Sequence, residues 1–259
     1  MVKRMAAYDD FAAFYDRLMS DVDYEGRTAY LLSLFEKFDK KPSLLLDAAC
    51  GTGGFSNMFA KAGIEVIAVD SSPEMLLRAR DKAQDANVNV LYLCQSVQEL
   101  DLYGTVDSAV CCMDSLNHIT DYEVLCAAIK RIALFLEMNR LFIFDVNTVY
   151  KHKKVLSDHT FVIELDDIYC VWQNSYNEEE RITAIDLDFF AREEEKYTRS
   201  AESFFERAYT PGEIKKALNG AGFEIVAVYG DMSDEGPHND TERVIYVTRK
   251  TKEDKPWGN

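Results

Sequence analysis

The sequence predicts an α/β fold in which a doubly wound, mostly parallel seven-stranded sheet carries an inserted antiparallel β-sheet. Short apolar runs of strand length alternate with amphipathic helical segments between residues 44 and 147. The pattern changes to residue-by-residue alternation between about residues 151 and 207, and a helix with two further apolar runs then follows. Strands that are apolar on both faces and separated by helices are typical of a parallel sheet covered on both sides.

The composition favours a large folded unit and limits the classes of partner. The chain has 259 residues, of which 47% are hydrophobic, so it can bury a substantial core. It has no apolar run of 18 residues and does not begin like a secretory signal, so we expect a cytoplasmic protein without a membrane span. A net charge of -16 argues against a nucleic-acid partner, because that binding depends on Lys and Arg. Scattered histidines and the absence of C-x-x-C spacing indicate no metal site.

Two helices are predicted before the first strand. Phe14, Tyr15 and Leu18 recur at helical spacing, and apolar residues recur in the same way from Tyr30 to Phe38. The stretch SDVDYEG separates these two segments. The apolar run SLLLDAAC then predicts the first strand, GTGG predicts a tight loop, and the residues that follow predict an amphipathic helix.

Strands and helices continue to alternate after this unit. The runs IEVIAVD, VNVLYL, VDSAVCCM and RLFIFDV predict the second to fifth strands. The helix after the second strand begins either with Ser71 and Glu74 as a capping box or with Ser72 as the cap and Pro73 as the first helical residue.

The region after the fifth strand differs from the rest. TFVIELDD, IYCVWQNSY, RITAIDLDFFAR and KYTRSAESFFERAY alternate in polarity and predict a meander of antiparallel strands. Before the fifth strand, Thr120 and Glu123 form the pattern of a capping box at the start of a predicted helix. We therefore divide the chain into a main domain of residues 1–150 and 208–259 and an inserted subdomain of residues 151–207. The insertion serves as a lid or substrate wall, or it packs on the main domain or a second subunit.

Two acids bracket the glycine loop and limit its ligand. Asp47 and Asp70 lie at the predicted ends of the first two strands, on the edge where α/β sheets bind ligands. Asp70 follows Gly51 by about 20 residues, the spacing of the ribose-binding acid in dinucleotide-binding folds. That fingerprint needs a third glycine where Ser56 stands. A carboxylate at position 47 would also repel a pyrophosphate, so the pair favours a ligand with a cationic end.

The motifs LLDAACGTGGFS and VIAVDSSPEML together resemble those of class I S-adenosylmethionine-dependent methyltransferases. DSAVCCMDSLNHI, LFIFDVNT and ERAYTPGEIKKALNGAGFEIV extend the resemblance over the whole chain in outline. The first helix matches a YDxLM pattern of family members at residues 15–19. The resemblance implies a Rossmann-like fold, and it is strongest to bacterial small-molecule methyltransferases with a β insertion after the fifth strand.

The resemblance implies S-adenosyl-L-methionine as the cofactor and S-adenosyl-L-homocysteine as the product. Asp47 would receive the methionine ammonium, Asp70 would accept both ribose hydroxyls, and Met75 would pack against adenine. Ser96 stands where many relatives have an aspartate that accepts from the adenine amino group, so backbone groups around it would replace that contact. The implied cofactor contacts are Tyr15, Asp47, Ala48, Cys50, Gly51, Gly53, Asp70, Ser71, Met75, Gln95, Ser96, Val97, Met113, Asp114 and Asn117.

Three residues are candidates for catalysis. Asp145 ends the fifth strand, where the resemblance places the methyl acceptor. His118 is a candidate general base near neutral pH, although a histidine at a helix start also often caps or packs. Tyr15 either closes over the site or packs in the core.

The sequence therefore predicts an S-adenosylmethionine-dependent methyltransferase that methylates nitrogen or oxygen of a small-molecule acceptor, as a monomer or homodimer. It leaves open a non-catalytic S-adenosylmethionine-binding protein and a tRNA or protein methyltransferase. An NAD-dependent oxidoreductase has less support, because Asp47 and Ser56 oppose it. The identity of the acceptor is not specified by the sequence.

Overall fold

The structure is a computed structural model that describes residues 7–252, so residues 1–6 and 253–259 of the predicted main domain lie outside it. The helices are α1 (Ala7–Leu18), α2 (Tyr24–Phe38), α3 (Gly54–Lys61), α4 (Pro73–Asp85), α5 (Tyr122–Phe135) and α6 (Pro211–Gly220). None of these described helices is long and apolar enough to cross a membrane. The strands are β1 (Leu44–Ala48), β2 (Glu65–Asp70), β3 (Leu91–Cys94), β4 (Ser108–Cys111), β5 (Leu141–Asn147), β6 (Thr160–Glu164), β7 (Ile168–Asn177), β8 (Ile182–Glu193), β9 (Lys196–Arg207), β10 (Phe223–Gly230) and β11 (Arg243–Lys250).

Seven of the strands form one sheet in the order β10, β11, β5, β4, β1, β2, β3. β1 to β5 run parallel to one another, whereas β11 is antiparallel to both β5 and β10. The chain crosses from β3 to β4, so β1 and β4 lie side by side and the strand order reverses between them. The predicted doubly wound, mostly parallel seven-stranded sheet is confirmed, and its switch point opens a crevice at the carboxyl ends of the strands.

Both faces of this sheet are buried because helices cover each of them. Ile129 of α5 packs in one core cluster with Phe142 of β5. Phe35 of α2 and Phe59 of α3 pack in a second cluster with Ile143, the next residue of the same strand. Successive residues of a strand point to opposite faces, so a central strand must be apolar throughout, as the sequence pattern of β5 indicates.

The four predicted segments of the insertion form a separate antiparallel sheet in the order β6, β7, β8, β9. This confirms the inserted antiparallel sheet, with one difference at its start. Lys151–Leu156 forms a π-helix, and the first strand begins only at Thr160. Cys170, Leu187 and Phe189 form the buried side of the sheet, and Phe14 of α1 packs against them.

The helix starts follow local capping chemistry, and one differs from the sequence expectation. Ser72 caps α4 with Pro73 as the first helical residue, which is one of the two predicted alternatives. Asp121, rather than Thr120, caps α5, and its carboxylate accepts from the backbone N–H groups of Glu123 and Val124. A carboxylate satisfies two free N–H groups at this helix start, which a threonine hydroxyl would not do as readily.

Gly53 is a position where the fold requires glycine, and we predict a measurable loss of stability for Gly53→Ala. Its φ is +73°, and an added Cβ would lie 2.5 Å from the Tyr92 hydroxyl and 3.0 Å from the Ala79 Cβ. Strain and overpacking together should lower the free energy of unfolding by about 1–3 kcal/mol, measured by urea denaturation. Gly104→Ala, where no atom lies within 4 Å, is the control and should change it by less than about 0.5 kcal/mol. Equal effects of the two changes would contradict the prediction.

Candidate active site

A cavity of about 550 Å³ opens at the carboxyl ends of the parallel strands. Its lining joins three parts of the molecule: the loops after β1, β2, β3 and β4, the inner face of the second sheet, and helix α1. One end of the cavity lies against the loops after β1, β2 and β3, and the other lies between β5 and the second sheet. We call these the loop end and the sheet end.

The glycine loop and Asp70 build the loop end. Gly51 has a φ of +53°, and its backbone N–H donates to one Asp70 carboxylate oxygen at 2.8 Å. The other oxygen accepts from the Ser72 backbone N–H at 2.9 Å, where α4 begins. Burial raises the pKa of Asp70, although these two N–H groups favour its charged form. The carboxylate is therefore fixed in orientation with both oxygens at the cavity.

Asp47 is the second acid of the loop end, and it is only 2% exposed. Its hydrogen-bond partner among the described residues is Ser56, whose hydroxyl donates to the carboxylate. Burial raises the pKa of Asp47 to about 7, and the nearby Asp70 adds to this effect. A buried carboxylate that has one hydroxyl donor and no cationic partner favours the binding of a cationic group in the cavity beside it.

Side chains from α4 and the loop after β3 close the wall near these acids. Met75 is buried and lines the cavity, as do Gln95, Ser96 and Val97. The Ser96 hydroxyl donates to Glu99 at 2.8 Å. This wall combines the apolar side chains of Met75 and Val97 with the polar residues Gln95 and Ser96.

An ion-pair cluster fixes the loop after β4. Met113 and Asp114 both have positive φ, near +57° and +52°, which non-glycine residues adopt rarely. The Asp145 carboxylate accepts from both of their backbone N–H groups, at 2.7 and 2.8 Å. Arg243 of β11 donates to Asp145 and to Asp114, each at 3.0 Å. The Arg243 guanidinium keeps the pKa of Asp114 below its usual value despite burial.

The sheet end combines polar groups with an aromatic wall. Asn147 donates to Asp114, and Lys151 donates to the Asn147 side-chain oxygen at 2.9 Å. Glu202 and Glu206 of β9 face the same space. The remaining lining residues at this end are His118, Leu156, Ile163, Cys170, Trp172, Leu187 and Phe204.

Helix α1 covers the cavity and contacts both of its ends. The Thr52 hydroxyl of the glycine loop donates to Asp16 at 2.6 Å, and Lys82 of α4 donates to the same oxygen at 2.8 Å. On the other side, Arg17 forms an ion pair with Asp167, which lies between β6 and β7. Tyr15, Leu18 and Met19 thereby line the cavity as its roof. Burial raises the pKa of Tyr15, so its phenol stays protonated at neutral pH.

The structure brings most of the predicted site residues together in this lining. They are Tyr15, Asp47, Cys50, Gly51, Asp70, Ser71, Met75, Gln95, Ser96, Val97, Met113, Asp114 and His118. Four predicted residues lie behind the lining instead. Ala48 is fully buried at the end of β1. A Cβ added to Gly53 would point at the Tyr92 hydroxyl and not into the cavity.

The other two displaced residues have structural partners that explain their positions. Asn117 is fully buried and bonds the backbone of Asn147 and Arg207, so it joins β5 to β9. Asp145 does not line the cavity, and its carboxylate oxygens accept from the Met113 and Asp114 backbone and from Arg243.

Sequence reasoning did not select Lys151, Glu202, Glu206 or Arg243. The period of two along β9 places Glu202, Phe204 and Glu206 on one face, and that signal was available in the sequence. It did not show which face meets the cavity. Arg243 could not have been found in this way, because its partners depend on the antiparallel pairing of β11 with β5.

Comparison with known proteins agrees with this geometry. Residues 45–137 match the family of methyltransferase domains. A relative from Bacillus subtilis (strain 168), called "Putative methyltransferase YqeM", is 32% identical over 247 residues, which are 95% of this chain and 98% of the relative. The crystal structure of an S-adenosylmethionine-dependent methyltransferase from Clostridium acetobutylicum ATCC 824 is 30% identical, covers 95% of this chain and 99% of its own, and superposes with a TM-score of 0.86.

A more distant structure shares the fold alone. The sugar N-methyltransferase KedS8 from Streptoalloteichus sp ATCC 53650 is 17% identical, covers 96% of each chain and has a TM-score of 0.74.

The chain therefore belongs to the class I S-adenosylmethionine-dependent methyltransferases. It is an enzyme whose cofactor is S-adenosyl-L-methionine, which sets aside the oxidoreductase and the non-catalytic alternatives left open by the sequence.

The ion-pair cluster predicts a large stability loss for Arg243→Met. The change leaves Asp114 and Asp145 buried without their cationic partner, so the free energy of unfolding should fall by about 3–5 kcal/mol in urea denaturation. Arg199→Met removes an exposed ion pair with Asp188 and serves as the matched control, with an expected loss below about 1 kcal/mol. A loss for Arg243→Met no larger than that of the control would show that the cluster does not stabilise the fold.

Proposed function

We propose that this enzyme methylates a nitrogen or oxygen atom of a small molecule bound at the sheet end of the cavity. The observation that carries the proposal is the continuity of the cavity, since one enclosed space runs from Asp47 and Asp70 to the inner face of the second sheet. An acceptor held there would lie next to a cofactor held at the loop end. We also propose that residues 151–207 act as a substrate subdomain, because their sheet forms the far wall.

The size of the space and the charge of the protein support a small acceptor. A cavity of about 550 Å³ can hold a small acceptor beside the cofactor, and a net charge of -16 disfavours RNA. Two structures that share this fold are those of a sugar N-methyltransferase and an amino pentose methyltransferase. Acceptors of that size fit the proposal.

The residues at the loop end fit S-adenosyl-L-methionine. An ammonium beside Asp47 would give this buried carboxylate the cationic partner that it lacks among the described residues. Each Asp70 oxygen accepts one backbone N–H and keeps a second lone pair, so two ribose hydroxyls can donate to it. Met75 and the backbone around Ser96 would contact the adenine. These contacts use the groups that the structure orients toward the cavity.

The cofactor supplies a methyl group that is already activated on a sulfonium sulfur. The protein therefore mainly has to position the acceptor and exclude water. Asp145 and Arg243 fix the loop after β4, and α1 with the second sheet encloses the cavity. Tyr15 lines the cavity but cannot serve as a base at neutral pH, because burial raises the pKa of its phenol.

We predict that S-adenosylhomocysteine raises the melting temperature and that Asp70→Ala abolishes most of this shift. A ligand that binds only the native state at about 100 times its Kd adds about 2.7 kcal/mol to the free energy of unfolding. Asp85→Ala, an exposed change of the same type at the end of α4, should keep the full shift. The measurement is a thermal melt with S-adenosylhomocysteine or NAD. A shift with NAD alone, or an unchanged shift in Asp70→Ala, would contradict the proposed site.

We predict that the affinity for the cofactor increases with pH, because Asp47 must be ionised to bind its ammonium group. At pH 6 most Asp47 is protonated, because its pKa is about 7, and an ammonium ligand must then displace that proton. At pH 8 the carboxylate is already ionised, so S-adenosylhomocysteine should bind about tenfold more tightly than at pH 6. Isothermal titration calorimetry at both pH values measures this. Asp47→Asn should weaken binding at pH 8 and remove the Asp47 contribution to the pH dependence, and an unaltered pH profile would remove Asp47 from the ammonium site.

A further inference from the structure

The sheet end of the cavity contains two buried acids that the cofactor assignment does not use. Glu202 and Glu206 lie four residues apart on β9, so the alternation of the strand places both on its inner face. They are 6% and 5% exposed, and both line the cavity. Carboxylates this deeply buried are rare unless a cation or hydrogen-bond donors compensate them.

Glu202 lacks such compensation from the protein. Its cross-strand neighbour on β8 is Leu187, which in turn lies opposite Trp172 on β7. The buried oxygen Oε2 has no hydrogen-bond partner, and Glu202 forms no ion pair within the part of the chain that the structure describes. Burial consequently raises the pKa of this carboxyl group. An unpartnered acid that faces a cavity indicates that a donor enters with the ligand.

Glu206 is surrounded by groups that supply little positive charge. The His118 Nε2 lies 3.7 Å from Oε1, the His152 Nε2 lies 3.8 Å from Oε2, and the Asn147 amide donates to Oε2 at a long 3.4 Å. Burial lowers the pKa of His152 to about 4, so this histidine is neutral at pH 7. Burial, with a contribution from Asp114, raises the pKa of Glu206 to about 8.

Charge is unbalanced at the sheet end as a whole. Among the described residues, the carboxylates of Asp114, Asp145, Glu202 and Glu206 face the cations of Arg243 and Lys151. Arg243 is engaged by the two aspartates, and Lys151 bonds the Asn147 amide rather than pairing with either glutamate. In the protein alone, protonation of Glu206, whose pKa is about 8, offsets part of this excess negative charge, and an ammonium ligand would take the place of that proton.

We propose that the methyl acceptor is a primary or secondary amine that binds at the sheet end as an ammonium in contact with Glu206, with Glu202 farther along the same face of β9. Its organic part then contacts Trp172, Leu187 and Phe204, which line the same wall. This inference rests on the proposed function and narrows it from nitrogen or oxygen to nitrogen. An ammonium supplies Glu206 with both positive charge and donors, and its charge also stabilises the ionised form of Glu202, whereas a neutral hydroxyl supplies one donor and no charge.

The same arrangement provides an acceptor for the proton that the ammonium must lose before methyl transfer. The ammonium gives one proton to the Glu206 carboxylate, which breaks an N–H bond and forms an O–H bond. The nitrogen lone pair then forms the new N–C bond while the C–S bond of the methyl donor breaks, and the sulfur keeps that electron pair as a neutral thioether. The proton on Glu206 passes to solvent when the methylammonium product leaves.

Binding of three matched probes tests the proposal without any turnover. Benzylamine, benzyl alcohol and benzoate share a ring and differ in the charge of one group. Isothermal titration calorimetry at about pH 7.5, where benzylamine is an ammonium, is performed with and without S-adenosylhomocysteine. We expect benzylamine to bind at least about tenfold more tightly than the alcohol, as is typical of hydrogen bonds to charged groups, and benzoate to bind most weakly. Alcohol or benzoate binding that equals that of the amine, or an amine that does not bind, overturns the proposal.

Variants then assign the preference to the two acids. Glu202→Gln with Glu206→Gln keeps the shape of both side chains and removes their charge, so the amine should lose its advantage over the alcohol. Glu224→Gln makes the same change at an exposed position of β10 and should retain the wild-type preference. An amine preference that survives in the double variant overturns the assignment. The comparison of probes on the wild-type enzyme decides the question even if the double variant fails to fold.

Failure of this inference can be told from failure of the proposed function. S-adenosylhomocysteine binding, measured in the same titrations, tests the loop end alone. If it binds and the amine preference is absent, the enzyme keeps its proposed function and only the amine assignment is wrong. If it does not bind, the cofactor contacts are wrong, and the amine series without S-adenosylhomocysteine still decides the role of the glutamates.

Discussion

The Arg243 ion pairs are the interaction on which the site depends most. β11 enters the sheet antiparallel to β5, and this pairing carries the guanidinium to the carboxyl end of β5. There it neutralises Asp145, which in turn holds two consecutive residues at positive φ in the loop after β4. Without this charge balance, the backbone beside the cavity would lose the partners that keep it in an unfavourable conformation. The last strand of the chain thus determines the shape of a loop more than a hundred residues earlier.

Much of the fold could be predicted from the sequence because its strands differ in local pattern. β5 is apolar at every position since both faces of the main sheet are covered, whereas the strands of the insertion alternate because one face is buried. The π-helix at Lys151–Leu156 escaped prediction because its residues show neither pattern clearly. Thr120 and Asp121 could not be separated as caps, since both are good capping residues and tertiary geometry chooses between them.

Some residues of the site can be predicted from local sequence, whereas others are brought to the site only by tertiary packing. Asp47, Gly51 and Asp70 belong to one β-α-β unit, so their spacing alone indicates that they meet. Asp145 also ends a strand of that sheet, yet its carboxylate turns to Arg243 and the backbone rather than to the cavity. Glu202 and Glu206 come from the other sheet, and no local pattern shows that this sheet folds over the carboxyl ends of the first.

The roof of the cavity has a further consequence for how molecules enter and leave. The short segment 19–23 connects helix α1 to α2, and α1 takes part in neither sheet. Its polar ties to Thr52, Lys82 and Asp167 are partly exposed, so each is individually weak. Opening of this roof would break these contacts and the stacking of Phe14 on Phe189, while the hydrogen bonds within both sheets would be kept. Exchange of spent for fresh cofactor through the roof would then be governed by the contacts of α1 and not by the strand pairing of either sheet.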